Sequence, residues 1–390
     1  MRLLWSTPRG AARTDLAKRS GLSRATVSGI TGELLASGLV EEGAQRASRG
    51  GRPATVLRFQ AGGGAIIGVE LGASHVSAVR SDLRGHVQET IRQEHDVQGD
   101  PDGTLALLGS FVDRLVTGAH APILGIGVGV PSPLRLEHPG RLSPHLLPRW
   151  RHVDLQSWLV ERTALPVRID NDANVGALAE HWWGAGRDLT DFAYIKVATG
   201  VGAGVISRGQ ILRGAGGVAG EIGHTAIDPN GPRCRCGLHG CLEALVGTQY
   251  LLERAAARAA TLTPTPAWAH PAPTLTGLID AANAGDPHAT ELIRTTGRWL
   301  GLAVSNLLNL INPGRVVLGG RLTAAGHLLL TPLRAALAER ALWTSIEGAQ
   351  VVVSELQGET VALGAATLVL QDVLSDPQLL LSRAGISPPS

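Results

Sequence analysis

Three cysteines and a histidine make the clearest case for chemistry in this chain. Cys234, Cys236 and Cys241 fall within eight residues, and His224 lies ten residues before the first of them. Three thiolates and one imidazole form a complete tetrahedral ligand set for a structural zinc, one per chain. The competing reading is a packed histidine beside three free thiols. A disulfide between Cys234 and Cys236 would be strained at that spacing and would leave one thiol over. Zinc is the better account. The surrounding segment, GEIGHTAIDPNGPRCRCGLHGCLE, is rich in Gly and Pro, and a structural zinc contributes about 10–16 kcal/mol in finger peptides. Four protein ligands argue against catalytic zinc, which keeps an open position. Glu221 and Glu243 bracket the cluster, and zinc does not need them.

A second constellation is Asp170, Asn171, Asp172 and Asn174. One of these residues must cap the helix that follows, and the others could be solvated turn residues. Equally, Asp172 could take a proton from a hydroxyl while Asn171 binds a neighbouring hydroxyl. The residues alone leave both readings open.

A third group belongs to the first sixty residues, which hold ten Arg/Lys against four acids, while the remainder of the chain is mildly acidic. A basic head on such a body suggests that only the head meets a polyanion. Within it, ARTDLAKRSG reads as a helix burying Leu16 and Ala17 and stopped by Gly21. Ser23 stands where an N-cap belongs, before RATVSGITGELLASG, whose Val27, Ile30, Leu34 and Leu35 make a buried face. Ser23, Arg24, Thr26 and Ser28 then lie at the end of the second helix that meets base edges in a recognition helix. LVEEG and ATVLRFQ read as the strands of a wing, and Arg49 and Arg52 lie between them on a segment able to enter a narrow minor groove. A solvated basic linker is the plainer alternative for that segment. The supporting first helix would be the short RLLWS, which leaves room for an upstream start.

These groups must be positioned by the body. At 390 residues, two or three domains are expected. AIIGVELGASHVSAVR and FAYIKVATGVGAGVISRGQIL are each strand, glycine turn, strand, and each is followed by further strands and helices. The doubled pattern predicts two related α/β lobes whose glycine turns face a shared cleft, where backbone N–H groups can cradle phosphate. ILGIGVGVPSP predicts a buried strand, and a long helix is expected from Cys241 to about Ala260. INPGRVVLGG predicts a strand ending in paired glycines, and VALGAATLVL starts the last helix. No apolar run is long enough for a membrane span, no signal peptide is evident, and the clustered cysteines suit a reducing compartment. The expected location is cytoplasmic.

GEIGH and CRCGLHGCLE, with DNDAN upstream and NPGRVVLGG downstream, resemble the ROK family of repressors, open reading frames and sugar kinases. SGLSRATVSGITGELLASGLVEEG and SRGGRP resemble the winged helix-turn-helix of its repressor branch. The resemblance implies an α/β fold: a winged helix-turn-helix over residues 1–60, then a two-lobed actin/hexokinase-like (ribonuclease H-like) body. Its first lobe would span 64–184, completed by a C-terminal helix over about 361–384, and its second lobe 185–360 with the zinc loop. By the same resemblance Asn171, Asp172, Glu221, His224 and Glu243 hold sugar hydroxyls, and Asp172 matches the kinase base. His224 would then serve both metal and sugar.

Two departures bear on function. Where the kinases resemble D-x-G-G-T in the first phosphate turn, this chain reads Glu70-Leu71-Gly72-Ala73-Ser74. That leaves the nucleotide site partly dismantled, although Thr199 to Gly204 and Gly319-Gly320 stay near the kinase form. His145 also stands where relatives place a sugar-contacting Asn. The expected function is therefore a sugar-responsive DNA-binding regulator of carbohydrate genes, a repressor and not an enzyme, with xylose metabolism its expected setting. Its expected partners are double-stranded operator DNA, a sugar or sugar phosphate, and a second copy in a homodimer or dimer of dimers, with no membrane. The competing expectation is an ATP-dependent sugar kinase that also carries a DNA-binding domain.

Overall fold

The computed structural model describes residues 1–46, 54–135, 137–138, 140–342, 344 and 347–376. The chain begins with α1 (Arg2–Trp5), β1 (Ala11–Ala12), α2 (Arg13–Ser20), α3 (Arg24–Ala36), β2 (Val40–Arg46) and β3 (Ala54–Phe59). Gly21 ends α2 in the left-handed conformation, φ +73°, which glycine adopts without a Cβ penalty. The Ser23 hydroxyl caps α3 by accepting from the Thr26 N–H at 3.1 Å. β3 pairs antiparallel with both β1 and β2, so the wing is a three-stranded sheet. The buried face of α3 is Val27, Thr31 and Leu34, spaced by four and three residues. Ile30, expected on that face, is 41% exposed because it falls at the rim of the stripe. Leu35 and Ala17 are only partly buried against the same core.

The first large sheet comprises β4 (Ala65–Leu71), β5 (His75–Asp82), β6 (Val87–Glu94), β7 (Ile123–Val130) and β8 (Val167–Asn171). Its strand order is β6-β5-β4-β7-β8, with the β4–β7 and β7–β8 pairs parallel. The second sheet comprises β9 (Phe192–Val197), β10 (Val201–Ser207), β11 (Gln210–Ile211), β12 (Arg315–Gly319) and β13 (Gln350–Val353). Its order, β11-β10-β9-β12-β13, repeats that of the first, again with the last two pairs parallel. The duplication predicted from the two strand–glycine-turn–strand segments is thus a duplication of the whole five-stranded topology.

Helices cover the outer faces. α4 (Pro101–Thr117) and α5 (Leu155–Thr163) bury Leu108, Val112, Leu115 and Leu159 against the first sheet. α7 (Leu242–Val246), α8 (Thr248–Ala259), α9 (Leu275–Asn283), α10 (Pro287–Ile311) and α11 (His327–Arg340) close over the second. Between the sheets lie α6 (Asp172–Trp183) and α12 (Thr360–Ser375), packed on each other. α12 lies against β4 and β7, where Gly68 and Gly127 admit it: a Cβ on either would sit within 1.9 Å of the Ala362 or Ala365 carbonyl oxygen. α6 reaches across to the second sheet, its Ala177 packing with Tyr194, Ile206 and Val317. α12 ends at Ser375, and the rest of the helix expected to about 384 lies outside the described residues.

The long helix expected from Cys241 to about Ala260 is interrupted. Gly247 is extended (φ −56°, ψ 139°) between α7 and α8. There the chain must pass the second glycine turn, and the Thr248 N–H donates to the Ala198 carbonyl at 2.8 Å. A Cβ at Gly247 would lie 2.9 Å from the Thr199 carbonyl oxygen. The head, for its part, shares a hydrophobic core with the body: Leu4, Leu16, Val27, Leu34 and Leu57 pack with Val369, Leu370 and Val373 of α12. Among the described residues no helix is long and apolar enough to cross a membrane.

Candidate functional site

The cysteine turn is shaped by its own backbone. Cys234 donates to the Leu238 carbonyl at 2.7 Å, Gly237 to the Cys234 carbonyl at 2.9 Å, and Gly240 to the Pro232 carbonyl at 2.9 Å. These bonds bring the ring nitrogen of His224 and the sulfurs of Cys234, Cys236 and Cys241 within 4.8 Å of one another. Cys236 Sγ and Cys241 Sγ are 3.7 Å apart, and Cys234 Sγ lies 3.8 Å from His224 Nδ1. A disulfide would need about 2.05 Å. The edge of a tetrahedron with metal–sulfur bonds of 2.3 Å is about 3.8 Å. Burial, with neighbouring thiols adding to it, pushes the Cys241 thiol up to about 12. Neutral thiols crowded in this way are what a bound dication would deprotonate and reorganise. The four residues could hold a metal ion, and their donor chemistry suits a thiophilic tetrahedral one.

Directly beside this cluster a cleft of about 1190 Å³ opens between the two sheets. Asn171, Asp172, Glu221, His224 and Glu243, separated by up to 72 residues in sequence, all line it. The capping reading of the Asp/Asn cluster holds for Asn171, and Asn171 and Asp172 both face the cleft. Asn171 Oδ1 caps α6 by accepting from the Ala173 and Asn174 N–H groups at 2.9 and 3.2 Å, while its amide nitrogen donates to the Ser132 carbonyl at 3.2 Å. One amide hydrogen is left for a ligand. Asp170 faces away, accepting from the Asn174 amide at 3.0 Å and pairing with Arg213 at 2.6 Å. Asp172 opens the first turn of α6, where the helix dipole favours a carboxylate.

Glu221 and Glu243 differ in state. Burial, helped by the charges of Asp172 and Glu243, raises the Glu221 carboxyl to about 7. Near neutral pH it can therefore donate or accept a hydrogen bond. Glu243 is clasped instead by Arg235, whose Nε and Nη2 reach its two oxygens at 2.7 and 3.2 Å, and the Val201 N–H donates to it at 3.1 Å. The two-pronged geometry fixes the carboxylate plane. His145 does not line the cleft; it is exposed, and its neighbour Leu146 supplies the wall.

Two further charged residues line the cleft without a sequence motif to mark them. Arg235 sits between two cysteines, and nothing in its spacing marks it as a cleft residue. Lys196 is a lone lysine in the apolar strand β9. Its ammonium donates to Glu70 Oε1 at 2.7 Å and to Asp172 Oδ2 at 2.9 Å. Glu70 Oε2 also faces His75 Nε2 at 3.4 Å. Burial alone would raise the Glu70 carboxyl, but Lys196 and His75 outweigh it and hold Glu70 down at about 2.

In the head, Ser23, Arg24, Thr26 and Ser28 are all exposed. Ser23 and Thr26 share a hydroxyl hydrogen bond at 2.8 Å at the cap of α3. Arg49 and Arg52 lie outside the described residues. The head meets the body through Trp5 of α1, which stacks near Trp182 and Trp183 at the end of α6 with ring centroids 5.0 and 6.1 Å away. Its indole N–H donates to the Leu83 carbonyl at 2.9 Å.

Comparison with known proteins agrees with this architecture at both ends of the chain. Residues 1–43 match the IclR helix-turn-helix domain, and residues 66–372 match the ROK family. A xylose repressor of Caldicellulosiruptor bescii is 34% identical over 374 residues, covering 94% of this chain and 93% of its own. The crystal structure of a ROK family transcriptional regulator, a homologue of the Escherichia coli MLC protein, superposes with a TM-score of 0.81 at 28% identity, covering 98% of this chain and 96% of that one. A ROK family glucokinase from Streptomyces griseus, solved with glucose and AMPPNP, gives a TM-score of 0.67 at 29% identity and covers 79% of this chain and 99% of its own. The duplicated sheets, the cysteine turn at the cleft and these matches lead to one conclusion: the chain belongs to the ROK family.

Proposed function

We propose that this protein is a sugar-responsive transcriptional repressor, binding operator DNA through its head and a sugar in the cleft between its sheets. One observation carries the reading. α6 begins at the cleft with Asn171 and Asp172 and ends at Trp182 and Trp183, against Trp5 of the head. Twelve residues of α helix span about 18 Å at 1.5 Å each. A ligand that tilts the start of α6 therefore moves the surface on which the DNA head is seated. Both ends of the coupling belong to one rigid element, which is one physical route by which two sites are linked.

In this reading Asn171, Asp172, Glu221, His224 and Glu243 receive sugar hydroxyls, with Arg235 orienting Glu243. Zinc occupies His224, Cys234, Cys236 and Cys241 as a structural ion, fixing the wall that carries Glu221 and Glu243. When bound, it would supply the folding energy that this Gly- and Pro-rich turn lacks. Xylose is the first candidate effector, since the similar repressor of Caldicellulosiruptor bescii is named for it. Two copies place two α3 helices on a palindromic operator, as two-fold symmetry requires. The exposed Ser23, Arg24, Thr26 and Ser28 face the bases, and the basic Arg49 and Arg52 add to the DNA contact.

The division of the chain follows from this: head over 1–60, first lobe over 64–184 closed by the C-terminal helix, second lobe over 185–360. A thermal-shift screen of the full chain against pentoses, hexoses, N-acetylhexosamines and their phosphates tests the sugar site. At least one sugar should raise Tm, with the shift lost in Asp172→Ala. A chain that responds to none of them would remove the basis for the proposal.

A further inference from the structure

The sugar-facing residues use only part of the cleft. Its other half runs past the turn at 72–74, the turn at 198–200 and Gly319-Gly320. The two halves meet at Asp172, and the group standing at that junction is the Lys196 ammonium. Lys196 and Glu70 are 8% and 4% exposed. They come from different sheets, Lys196 from β9 and Glu70 from β4, with Asp172 on the helix between.

An ammonium this deeply buried has little access to solvent. A buried charge of this kind persists only when it is paired and hydrogen-bonded. Burial works against the ammonium, and the carboxylates of Asp172 and Glu70 outweigh it, holding Lys196 well above the ordinary lysine range. Two carboxylates that both approach one point within 3 Å, at 2.7 and 2.9 Å, cannot both stay ionised unless a cation lies between them. In a site lined by oxygen ligands and glycine turns, that cation would ordinarily be a divalent metal with its bound phosphates.

We propose that Lys196 is a resident cation, occupying the position at which a divalent metal would otherwise bridge Glu70 and Asp172, so that the cleft receives its ligand without metal or nucleotide. The side chain has two effects. It occupies one Asp172 oxygen, Oδ2, and leaves the other to accept a hydrogen bond from the ligand. It also ties the first sheet to the second across the cleft, as a metal would, but with a single charge that cannot dissociate. The kinase-like outline of the cleft is retained while its cation site is filled by the chain itself. This inference deepens the sugar-site reading, and its test requires no sugar.

The test uses the zinc-loaded full-length protein and Mn2+ as probe, followed by electron paramagnetic resonance and by the Mn2+-induced change in Tm. Thiolate-rich sites favour zinc, so the cysteine cluster stays occupied. Wild-type protein should bind no Mn2+ below about 1 mM, the weak end for carboxylate sites, and Lys196→Arg should behave alike. Lys196→Gln, neutral and of similar length, should gain one Mn2+ per chain with affinity at least tenfold above wild type. Adding Glu70→Gln to it should abolish the gain. If Lys196→Gln is too unstable to isolate, refolding with Mn2+ should restore it and refolding with K+ should not. A Glu70-dependent Mn2+ site in wild type would overturn the proposal. A folded Lys196→Gln that gains no Mn2+, or an unfolded one that Mn2+ does not restore, would overturn it equally. None of these results bears on whether a sugar binds, which the thermal-shift screen decides separately.

Discussion

Replacing Trp5 with alanine should loosen the DNA head from the body without touching either binding surface. The size of the effect follows from what the ring meets. Its N–H donates to the Leu83 carbonyl at 2.9 Å, a bond contributing about 1 kcal/mol net. Its ring packs with Trp182 and Trp183 at 5.0 and 6.1 Å, each pair contributing about 0.5–1.5 kcal/mol beyond area. The Arg84 guanidinium lies 5.4 Å from the same ring. With the partial burial of the indole, the total is about 3–4 kcal/mol, within the range for Trp→Ala replacements. Tm should fall by several degrees. Differential scanning calorimetry should show the head melting apart from the body, and the effector should lose its influence on operator affinity while sugar binding persists. Trp5→Phe, which keeps the ring and loses the hydrogen bond, should lie between. A Trp5→Ala protein that melts in one transition within 2 °C of wild type and keeps its full sugar response would refute the reasoning.

Other consequences can be checked independently. With zinc held as proposed, Cys236→Ser should remove it, measured by mass spectrometry of the ion, and should abolish sugar response before DNA binding; loss of metal with intact response would separate the two roles proposed for His224. Gly247→Ala should cost about 1–3 kcal/mol, since its Cβ must displace carbonyl oxygens 2.7 and 2.9 Å away; urea unfolding would measure this, and an unchanged midpoint would count against the break between α7 and α8. Glu70 is held at about 2, below its ordinary carboxylate value, so its contribution is present above about pH 4.5 and is lost as pH falls toward 2. Acid unfolding of Glu70→Gln should therefore show a shallower loss of stability across that window, and a slope equal to wild type would argue against the Lys196 pairing.

Much of the site was legible because its chemistry is local. Three cysteines and GEIGH declare a ligand set within eighteen residues, from His224 to Cys241. The DNDAN turn declares a helix cap and a candidate carboxylate, and strand–glycine–strand repeats declare two lobes. What was not legible depends on distant pairing. Lys196 looks like an interruption in an apolar strand until Glu70, 126 residues away, is placed opposite it. Arg235 looks like filler between cysteines until it is seen clasping Glu243. The break at Gly247 is imposed by the neighbouring turn, because LEALVGTQYLLERAAARA has helical periodicity throughout. Ile30 satisfies the helical spacing as well as Val27 does, and only the packing of the surrounding head decides which of them is covered. Trp5 carries no motif at all; its role depends on where α6 ends.

In the proposed function a sugar in the cleft governs the grip of the head on DNA. Fluorescence anisotropy of the full-length protein on its operator duplex, titrated with xylose and the other sugars of the thermal-shift screen, tests this most directly. At least one sugar should weaken operator affinity tenfold or more, a coupling of about 1.4 kcal/mol, and Asp172→Ala should bind the same operator with no response. An operator affinity unchanged by every sugar, including those that stabilise the protein, would contradict it.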